Sequence, residues 1–527
     1  MKILHFIPIL LVCGLTFTQE LSDELLAKKD SIWFSQNPES QPIWETLKER
    51  KTKDAYFAQR RLKAIPTPKL PSGAIRFVAE FERMSSVIVR YPFGITVEVI
   101  KELASDLKVF CLATTANQAA ARSAMQAGGV DMAQVQFINV ATDSYWTRDF
   151  SPWPIFDAAG KAGLVDFTYN RPRPNDDAVG PSYSTALGLP LYNMDLIHVG
   201  GNFMGDSYTI GSSSSLIYKE NLATNSIDST TVNQRMANSL GIQPYYTTAD
   251  PTGNYIEHID CWGKFLAPDK VLICRVAPSH AQYAKIEATA KYYSQKKSAY
   301  GKPYRVYRVE TPNFEPYTNS LILNDKLIMA TMGTSQDAAA LEVYKKAMPG
   351  YKVMGYRGTW ESTDALHCRT FGIVDLGLLH ILHYPLIDTV IPTAGKFMVS
   401  ATITSHSGKG LIPDSIALFY KIGAQATFTK VALSATGNSN YSGSIPAPTS
   451  SSQIAYYLHA ADSSGRRENH PFIGEPDPHQ FYAWIGTNAI AKKSPKNASE
   501  ALRSQRLSVT KDGRYNALGK VLQRKLN

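Results

Sequence analysis

One cysteine in polar surroundings is the residue of this sequence best suited to nucleophilic chemistry. Cys368 is flanked by His367 and Arg369, and Asp364 lies four residues earlier. Neighbouring cations stabilise a thiolate, which is the attacking form of the side chain. A cysteine that only packs as a small hydrophobic residue is the common alternative, so this pattern alone leaves packing and catalysis equally open.

An imidazole and a carboxylate two residues apart could assist such a thiol. The segment 255–262 predicts a strand in which His258 and Asp260 project from one face and Cys261 from the other. That face would carry a general base beside an anion, although a surface His–Asp pair explains the pattern equally well. A zinc-type site is a further alternative, but neither Cys-x-x-Cys nor His-x-x-x-His spacing occurs in the chain. We therefore expect no metal.

A tryptophan and an aspartate close together suit a flat cation. Trp146 and Asp149 follow the predicted strand 135–140, at the kind of strand end that carries functional loops in α/β proteins. An apolar wall beside a carboxylate can bind such a cation. The alternative is a structural pair in which Arg148 neutralises Asp149.

Two arginines alternate with two prolines shortly after this segment, at Arg171 and Arg173. Proline fixes φ, so we predict an extended backbone from which both arginines point in a common direction. Two guanidinium groups side by side favour a carboxylate or a phosphate. An exposed basic loop is the alternative.

Alternating strands and helices between residues 74 and 387 must position these side chains. Short β-type runs recur with helical stretches between them, which predicts an α/β domain. The runs cover residues 86–91, 109–113, 135–140, 163–167, 270–276, 320–323 and 326–330.

Residues 388–485 have a different texture, rich in Ser, Thr and Gly. Apolar residues alternate with period two, as in Leu418, Tyr420 and Ile422, and again in Tyr456 and Leu458. Such alternation with turn signals between the runs predicts an all-β sandwich.

The start of the chain resembles an export signal. Lys2 precedes an apolar run that ends in small residues, so we predict a signal peptide over residues 1–18. A lipoprotein modified at Cys13 is the alternative. Residues 19–73 are charged and end in a proline-rich linker, which predicts a leader or pro-segment.

The net charge of +10 is concentrated at the other end, in a basic tail over residues 486–527. Residues 491–527 hold ten Lys or Arg residues and only two acidic ones, so the rest of the chain is nearly neutral. We therefore expect no nucleic-acid partner. No later apolar run is long and uninterrupted enough to span a bilayer, and we predict a secreted or outer-membrane surface protein.

Six strings of this sequence, in this order, resemble one family. They are residues 145–149 (YWTRD), 170–177 (NRPRPNDD), 200–202 (GGN), 258–262 (HIDCW), 316–324 (PYTNSLILN) and 363–370 (TDALHCRT). They are similar to the secreted Porphyromonas-type peptidylarginine deiminases, of the guanidine-modifying superfamily that includes agmatine and arginine deiminases. The resemblance extends from about residue 77 to about residue 476.

The resemblance implies a pseudo-fivefold propeller of ββαβ units followed by an immunoglobulin-like sandwich. It implies Cys368 as the nucleophile, His258 as the acid and base, Asp149 and Asp260 as guanidinium ligands, and Asn319 as a further polar group. We expect the nearby aspartates to hold His258 protonated beside a Cys368 thiolate. No cofactor is expected.

The resemblance also implies the substrate. Arg171 and Arg173 would hold the terminal carboxylate of a substrate, and Trp146, Tyr255 and Thr363 are assigned to the substrate pocket. Peptides and proteins that end in arginine are then the expected partners, and a monomer is the expected state. Family members end in a C-terminal sorting domain, and residues 506–515 resemble only its start.

Other functions stay open on the sequence alone. An agmatine or free-arginine deiminase, or an amidinotransferase of the same superfamily, would use the same core residues. An adhesin in which the sandwich is the working part is the alternative from another class.

Overall fold

The computed structural model describes residues 22–62, 70–71, 73–253 and 256–486. The predicted signal peptide, most of the proline-rich linker, Tyr255 and the basic tail beyond residue 486 lie outside the described residues. Where the chain is described, no helix combines the length and the apolar character needed to cross a bilayer.

The described residues form helices and strands in alternation up to residue 374 and mainly strands after it. The helices are α1 (Asp23–Gln36), α2 (Leu47–Leu62), α3 (Val97–Leu103), α4 (Thr115–Ala127), α5 (Thr147–Phe150), α6 (Gly180–Leu187), α7 (Leu216–Asn225), α8 (Ser229–Leu240), α9 (Tyr283–Gln295) and α10 (Gln336–Ala347). The first strands are β1 (Arg76–Phe77), β2 (Met84–Arg90), β3 (Lys108–Leu112), β4 (Val135–Ile138), β5 (Trp153–Phe156), β6 (Ala162–Tyr169), β7 (Leu191–His198), β8 (Met204–Gly205), β9 (Gly211–Ser214), β10 (Tyr245–Thr248), β11 (Gly263–Ala267), β12 (Lys270–Arg275), β13 (Arg305–Glu310), β14 (Leu321–Leu323), β15 (Lys326–Thr331), β16 (Lys352–Arg357) and β17 (Phe371–Val374). The remaining strands are β18 (Leu379–Leu382), β19 (Thr389–Val390), β20 (Lys396–Ser405), β21 (Ala417–Ile422), β22 (Thr429–Ala432), β23 (Ser434–Gly437), β24 (Asn440–Pro446), β25 (Ser452–Ala461), β26 (Arg467–His470) and β27 (His479–Ala483).

The α/β region contains small sheets that share one connection pattern. In β11–β12–α9–β13 an antiparallel pair is followed by a helix and a parallel strand, and β14–β15–α10–β16 repeats this. The same pattern holds for β5–β6–α6–β7 and for β8–β9–α7–α8–β10. A further sheet joins the two ends of the region, because β17 pairs antiparallel with β2 and β2 pairs parallel with β3. The α/β class expected from the sequence is confirmed.

The middle strands β12 and β15 are apolar runs because helices and neighbouring sheets cover them. Four consecutive residues of β12, Val271–Cys274, are at most 1% exposed, and β15 buries Leu327–Ala330 completely. Parallel strands covered on both faces are expected to have this pattern rather than strict alternation.

The strands after residue 374 form two sheets around one apolar core. One sheet has the order β18–β20–β24–β23, and the other has β19–β27–β25–β21–β22, with β26 on β25. Phe397 and Ile403 from the first sheet meet Leu418 and Tyr456 from the second. The predicted alternating runs are neighbouring antiparallel strands, with Leu418 opposite Leu458. The immunoglobulin-like character of this region stays a prediction.

The first two helices pack on the α/β region rather than standing apart from it. Trp33 of α1 and Ile43, between the helices, share an apolar cluster with Tyr145, Trp146 and Trp262. Helix α2 begins with a capping box in which the Thr46 hydroxyl accepts from the Glu49 N–H at 3.2 Å and the Glu49 carboxylate accepts from the Thr46 N–H at 2.8 Å. Part of the predicted leader is therefore an ordered component of this structure.

Candidate active site

The candidate catalytic residues lie in short loops or single helical turns that come just before the strands β5, β11, β14 and β17. Asp149 precedes β5, Asp260 precedes β11, Asn319 precedes β14 and Cys368 precedes β17. Gly201, from the GGN string, occupies the same position before β8. The structure thus brings together residues up to 219 positions apart in the chain, because all of these loops lie at one end of their sheets.

Hydrogen bonds between these loops fix their relative positions. The Arg148 N–H donates to the Cys368 carbonyl at 3.1 Å, which ties the Asp149 loop to the thiol loop. The Asn319 carbonyl accepts from the His367 N–H at 3.1 Å. Backbone groups therefore hold the arrangement independently of the reactive side chains.

The Cys368 thiol has two polar neighbours. Asn319 Nδ2 donates to Cys368 Sγ at 3.0 Å, and Sγ lies 3.3 Å from Asp260 Oδ2. Asn319 Oδ1 accepts from the Cys368 N–H at 3.1 Å and from the Ala365 N–H at 3.0 Å. One amide side chain thus positions both the thiol and the backbone that carries it.

His258, Asp149 and Asp260 converge above Gly201. His258 Nδ1 lies 3.8 Å from Asp149 Oδ1, which also accepts from the Gly201 N–H at 3.2 Å. A Cβ at Gly201 would lie 2.7 Å from Asp149 Oδ1, 2.9 Å from His258 Nδ1 and 3.1 Å from Asp260 Oδ2. Both ring nitrogens of His258 are buried and make no hydrogen bond with the described residues. Buried polar atoms of this kind are typical of a functional site rather than of a structural one.

The predicted strand over residues 255–262 is wrong. His258 is extended, but Ile259–Cys261 forms a 3₁₀ turn in which the Trp262 N–H donates to the Ile259 carbonyl at 3.2 Å. His258 and Asp260 still reach the same site because the turn, rather than a pleat, brings them together. Tyr255 lies outside the described residues.

The cations beside Cys368 do not face the thiol. Arg369 bonds both to Asp364, at 2.6 Å, and to the Gly94 carbonyl, at 2.8 Å. His367 Nδ1 lies 2.7 Å from Asp260 Oδ2. Both side chains therefore bond to carboxylates rather than to the sulfur. Arg369 and a Cys368 thiolate nevertheless stabilise each other through their charges, since the charge of Cys368 helps to raise the pKa of Arg369.

Burial has the largest effect on the pKa values of the site residues. Burial, together with the charges of Asp260 and Asp364, raises the pKa of the Cys368 thiol well above its usual range. Burial and the charge of Asp260 also raise the pKa of Asp149. Burial lowers the pKa of His258 to about 4, although the charge of Asp260 opposes it. The expectation of a protonated His258 is wrong for this state, because desolvation outweighs attraction by the carboxylate.

Asp260 remains ionised for a different reason. Burial alone would raise its pKa, but the hydrogen bond and charge of His367 outweigh burial and lower it. Behind His367 lies Glu80, whose Oε2 is 2.7 Å from His367 Nε2 and 2.9 Å from Lys264 Nζ. Glu80 and Lys264 position the site through His367, and no sequence pattern predicted either residue. A lone glutamate before β2 carried no local signal for this role.

We expect the lowered pKa of His258 to make the protein sensitive to acid. Unfolded histidine has a pKa near 6.5, so the unfolded chain binds this proton first as the pH falls. The contribution to the free energy of unfolding is complete above pH 6.5 and is lost towards pH 4, by about 3 kcal/mol. Chemical denaturation of the parent and of His258→Gln at pH 7.5 and pH 4.5 measures it. The variant should lose less stability between these pH values; equal losses would contradict the assignment.

The arginine pair differs from its predicted form. The backbone turns rather than extends, since the Arg173 N–H donates to the Arg171 carbonyl at 2.8 Å. Arg173 is 1% exposed, and its Nε donates to Glu49 Oε1 of α2 at 2.7 Å. Both arginine charges act on Glu49 and help to lower its pKa against the effect of burial. The Arg173 guanidinium therefore pairs with the Glu49 carboxylate, and the charge of Arg171 acts on the same carboxylate.

The remaining predicted pocket residues are buried. Trp146 is fully buried, and its Nε1 donates to the Gln41 carbonyl at 3.1 Å. Thr363 has a left-handed backbone, with φ of 68°, and its hydroxyl donates to the Ser362 carbonyl at 2.5 Å. Their roles in substrate binding stay predictions. Arg148 does not neutralise Asp149, because its side chain faces Glu80 and the His367 carbonyl.

Comparisons with known proteins identify the family of this chain. The family model for Porphyromonas-type peptidyl-arginine deiminases matches residues 79–372, which include every loop of the site. The chain belongs to this family. It is a member of the guanidine-modifying deiminase superfamily, in which the reaction is hydrolysis of a carbon–nitrogen bond.

Individual proteins that resemble this chain share about a fifth of its residues or fewer over the matched region. A putative agmatine deiminase of Yersinia pseudotuberculosis is 21% identical over 273 residues, which cover 44% of this chain and 74% of the relative. The agmatine deiminase structure of Enterococcus faecalis has a TM-score of 0.52 and 17% identity, and covers 58% of this chain and 99% of its own. For the putative arginine deiminase of Porphyromonas gingivalis the TM-score is 0.50 at 18% identity, over 56% and 98% of the chains. The α/β region therefore has the fold of the agmatine deiminase catalytic domain.

Proposed function

We propose that this chain hydrolyses the guanidinium group of arginine to citrulline and ammonia, with Cys368 as the nucleophile. The convergence of His258, Asp149 and Asp260 around Gly201, with Cys368 Sγ 3.3 Å from Asp260 Oδ2, carries the proposal. A planar cation held between two carboxylates would present its carbon to the sulfur, and this fixed orientation supplies much of the rate enhancement.

The pKa values of Cys368, Asp149 and His258 are those expected if binding of the substrate cation activates the thiol. A guanidinium cation between Asp149 and Asp260 favours ionisation of Asp149 and of the Cys368 thiol, since opposite charges lower the pKa of acidic groups. The neutral imidazole of His258 is the form that can accept the thiol proton. Binding of the substrate cation thus supplies the positive charge that stabilises these anions.

The chemical steps then follow in order. The Cys368 thiolate adds to the guanidinium carbon, and the imidazolium of His258 gives its proton to the departing nitrogen as the carbon–nitrogen bond breaks and ammonia leaves. A covalent thiouronium remains on the sulfur. His258 next removes a proton from water, which adds to the same carbon; the carbon–sulfur bond breaks, citrulline leaves and the thiol regains its proton.

We propose arginine at the C-terminus of peptides and proteins as the preferred substrate. Arg173 supports this, because it already pairs with a carboxylate, that of Glu49, and the charge of Arg171 acts on the same group. Agmatine has no carboxylate and would leave both cations without a partner. Agmatine or free arginine as the substrate is the second candidate, which is favoured by the similarity to agmatine deiminases. Ammonia release from agmatine, arginine and peptides, measured side by side, distinguishes the candidates.

We also propose a domain arrangement, a location and an oligomeric state for the protein. The sheets from β1 to β17 would form five blades of a propeller closed by the β17–β2 pair, and the two sheets that begin with β18 would form an immunoglobulin-like domain. The protein would be exported by its signal peptide to the medium or the outer-membrane surface, act as a monomer and need no cofactor.

We expect Arg171→Ala to weaken turnover selectively for substrates with a free terminal carboxylate. Loss of one charged hydrogen bond corresponds to about 2–3 kcal/mol, or a decrease in kcat/KM of roughly 30- to 160-fold. Peptides that differ only in a C-terminal carboxylate or amide measure the effect, with the surface variant Arg122→Ala as the matched control. Equal turnover of acid and amide peptides by the parent would overturn the preference for C-terminal arginine.

A further inference from the structure

The helical segment of residues 22–62 lies over the loops that carry the active site. We propose that this segment blocks substrate entry, and that the Glu49 carboxylate takes the position of the substrate's terminal carboxylate. This inference rests on the proposed function, since it assigns the same arginine pair to substrate and segment. It implies that substrate and segment exclude each other.

The contacts of Glu49 are those expected for a bound carboxylate. Its Oε1 accepts from Arg173 Nε at 2.7 Å, and its Oε2 lies 3.3 Å from Arg173 Nη2. The same Nη2 donates to the Pro42 carbonyl at 2.6 Å and to the Trp44 carbonyl at 3.1 Å. Every hydrogen bond of the Arg173 side chain to the described residues is therefore made to the blocking segment.

The Arg173 guanidinium needs a carboxylate partner because it is buried. Arg173 is almost completely buried, and a buried guanidinium without a carboxylate partner is strongly destabilising. Either Glu49 or a substrate carboxylate can supply that partner, but both cannot bind the same fork. The segment therefore competes for the groups proposed to recognise the substrate.

Aromatic residues extend the cover towards the predicted pocket wall. The ring centroids of Trp33 and Trp146 are 6.4 Å apart, and those of Trp33 and Trp44 are 5.2 Å apart. Lys29 Nζ lies 3.7 Å from the centroid of Trp44. The Gln41 N–H also donates to the Asp143 carbonyl at 2.8 Å. The blocking segment thus binds both the Trp146 loop and the arginine loop.

The catalytic groups are inaccessible beneath this cover. Cys368 is 0% exposed, and His258, Asp149 and Asp260 are each at most 2% exposed. A site that admits a peptide end needs an open path to the sulfur. Displacement of the blocking segment would open that path.

Glu49→Gln in the full chain tests the inference. Glutamine can keep the capping box of α2 but cannot pair ionically with Arg173, so the segment should bind the site less tightly. Asp54→Asn is the matched control, since Asp54 is an exposed carboxylate one turn further along the same helix. Alkylation of Cys368 by iodoacetamide, followed by mass spectrometry, reports access to the thiol without requiring turnover.

We expect Cys368 to be alkylated at least about tenfold faster in Glu49→Gln than in the parent and in Asp54→Asn. Trp33→Ala, which removes the aromatic contact to Trp146, should accelerate alkylation in the same direction, with thermal unfolding as the check that each variant is folded. Parental alkylation rates in both folded variants would overturn the inference. Faster alkylation without ammonia release from any arginine substrate would instead sustain the blocking segment and reject the proposed function.

Discussion

Cys368→Ser is expected to abolish ammonia release from every arginine substrate, with a loss of kcat on the order of 10⁴-fold or more. The serine hydroxyl is nearly isosteric with the thiol, so Asn319 can still donate to it and the loop keeps its position. A serine alkoxide is far harder to form than a thiolate, however. The buried carboxylates nearby oppose its formation further, because like charges repel. Continuous measurement of ammonia with purified variants provides the comparison.

The matched control is another buried cysteine outside the site. Cys111 lies in β3, is 0% exposed and contacts no residue of the catalytic cluster among the described contacts. Cys111→Ser should retain ammonia release whenever it folds, as judged by circular dichroism. Residual turnover by Cys368→Ser within tenfold of the parent would remove the covalent mechanism.

Gly201→Ala is expected to lower kcat/KM by about 10²-fold while the protein remains folded. The added methyl group would occupy the point where Asp149, His258 and Asp260 converge, with each of the three atoms closer than about 3.1 Å. These side chains must then move apart, and displacements of about 1 Å are enough to spoil a reacting geometry. Steady-state kinetics with the preferred substrate measures the loss.

Gly410→Ala provides the control for the glycine change itself. No atom lies within 4 Å of a Cβ built at Gly410, and its φ is not positive. This variant should match the parent in kcat/KM and in thermal unfolding. If Gly201→Ala also kept parental kinetics, the three side chains would not be the reacting cluster.

The strands of the α/β region were predictable because their burial is local in sequence. The predicted run 86–91 corresponds to β2 (Met84–Arg90), and 270–276 corresponds to β12 (Lys270–Arg275). A strand covered on both faces must be apolar along its length, so its sequence alone reveals it. In the all-β region, period-two alternation revealed β21 and β25 in the same way.

The contacts of the site were less predictable because they depend on residues far apart in the chain. Arg173 pairs with Glu49, 124 positions earlier, and no local pattern links them. His367 was visible beside Cys368, but its orientation towards Asp260 and Glu80 follows from tertiary packing. The prediction that His258 and Asp260 share one face of a strand was wrong because a 3₁₀ turn follows His258.

One regularity of the site could have been found from the sequence. Asn319 lies two residues before β14 and Cys368 three residues before β17, and Gly201 and Asp260 each lie three residues before a first strand. For Asn319 and Cys368 the polar residue comes just before an apolar β-run, Leu321–Leu323 and Phe371–Val374, which the sequence itself shows. Gly201 precedes only the two-residue strand β8 and is not marked in this way.

The pairing of β17 with β2 has a consequence for the newly made polypeptide. Phe371 lies opposite Ile88, 283 residues earlier, so this pairing is among the most distant that the chain must form. Closing so large a loop is entropically costly and slow compared with forming neighbouring hairpins. A nascent chain emerging from the ribosome cannot complete the pair until residue 374 has been added. The loop that carries Cys368, directly before β17, therefore contacts the other loops of the site last. Until the α/β region is almost complete, the chain on the ribosome has an incomplete site.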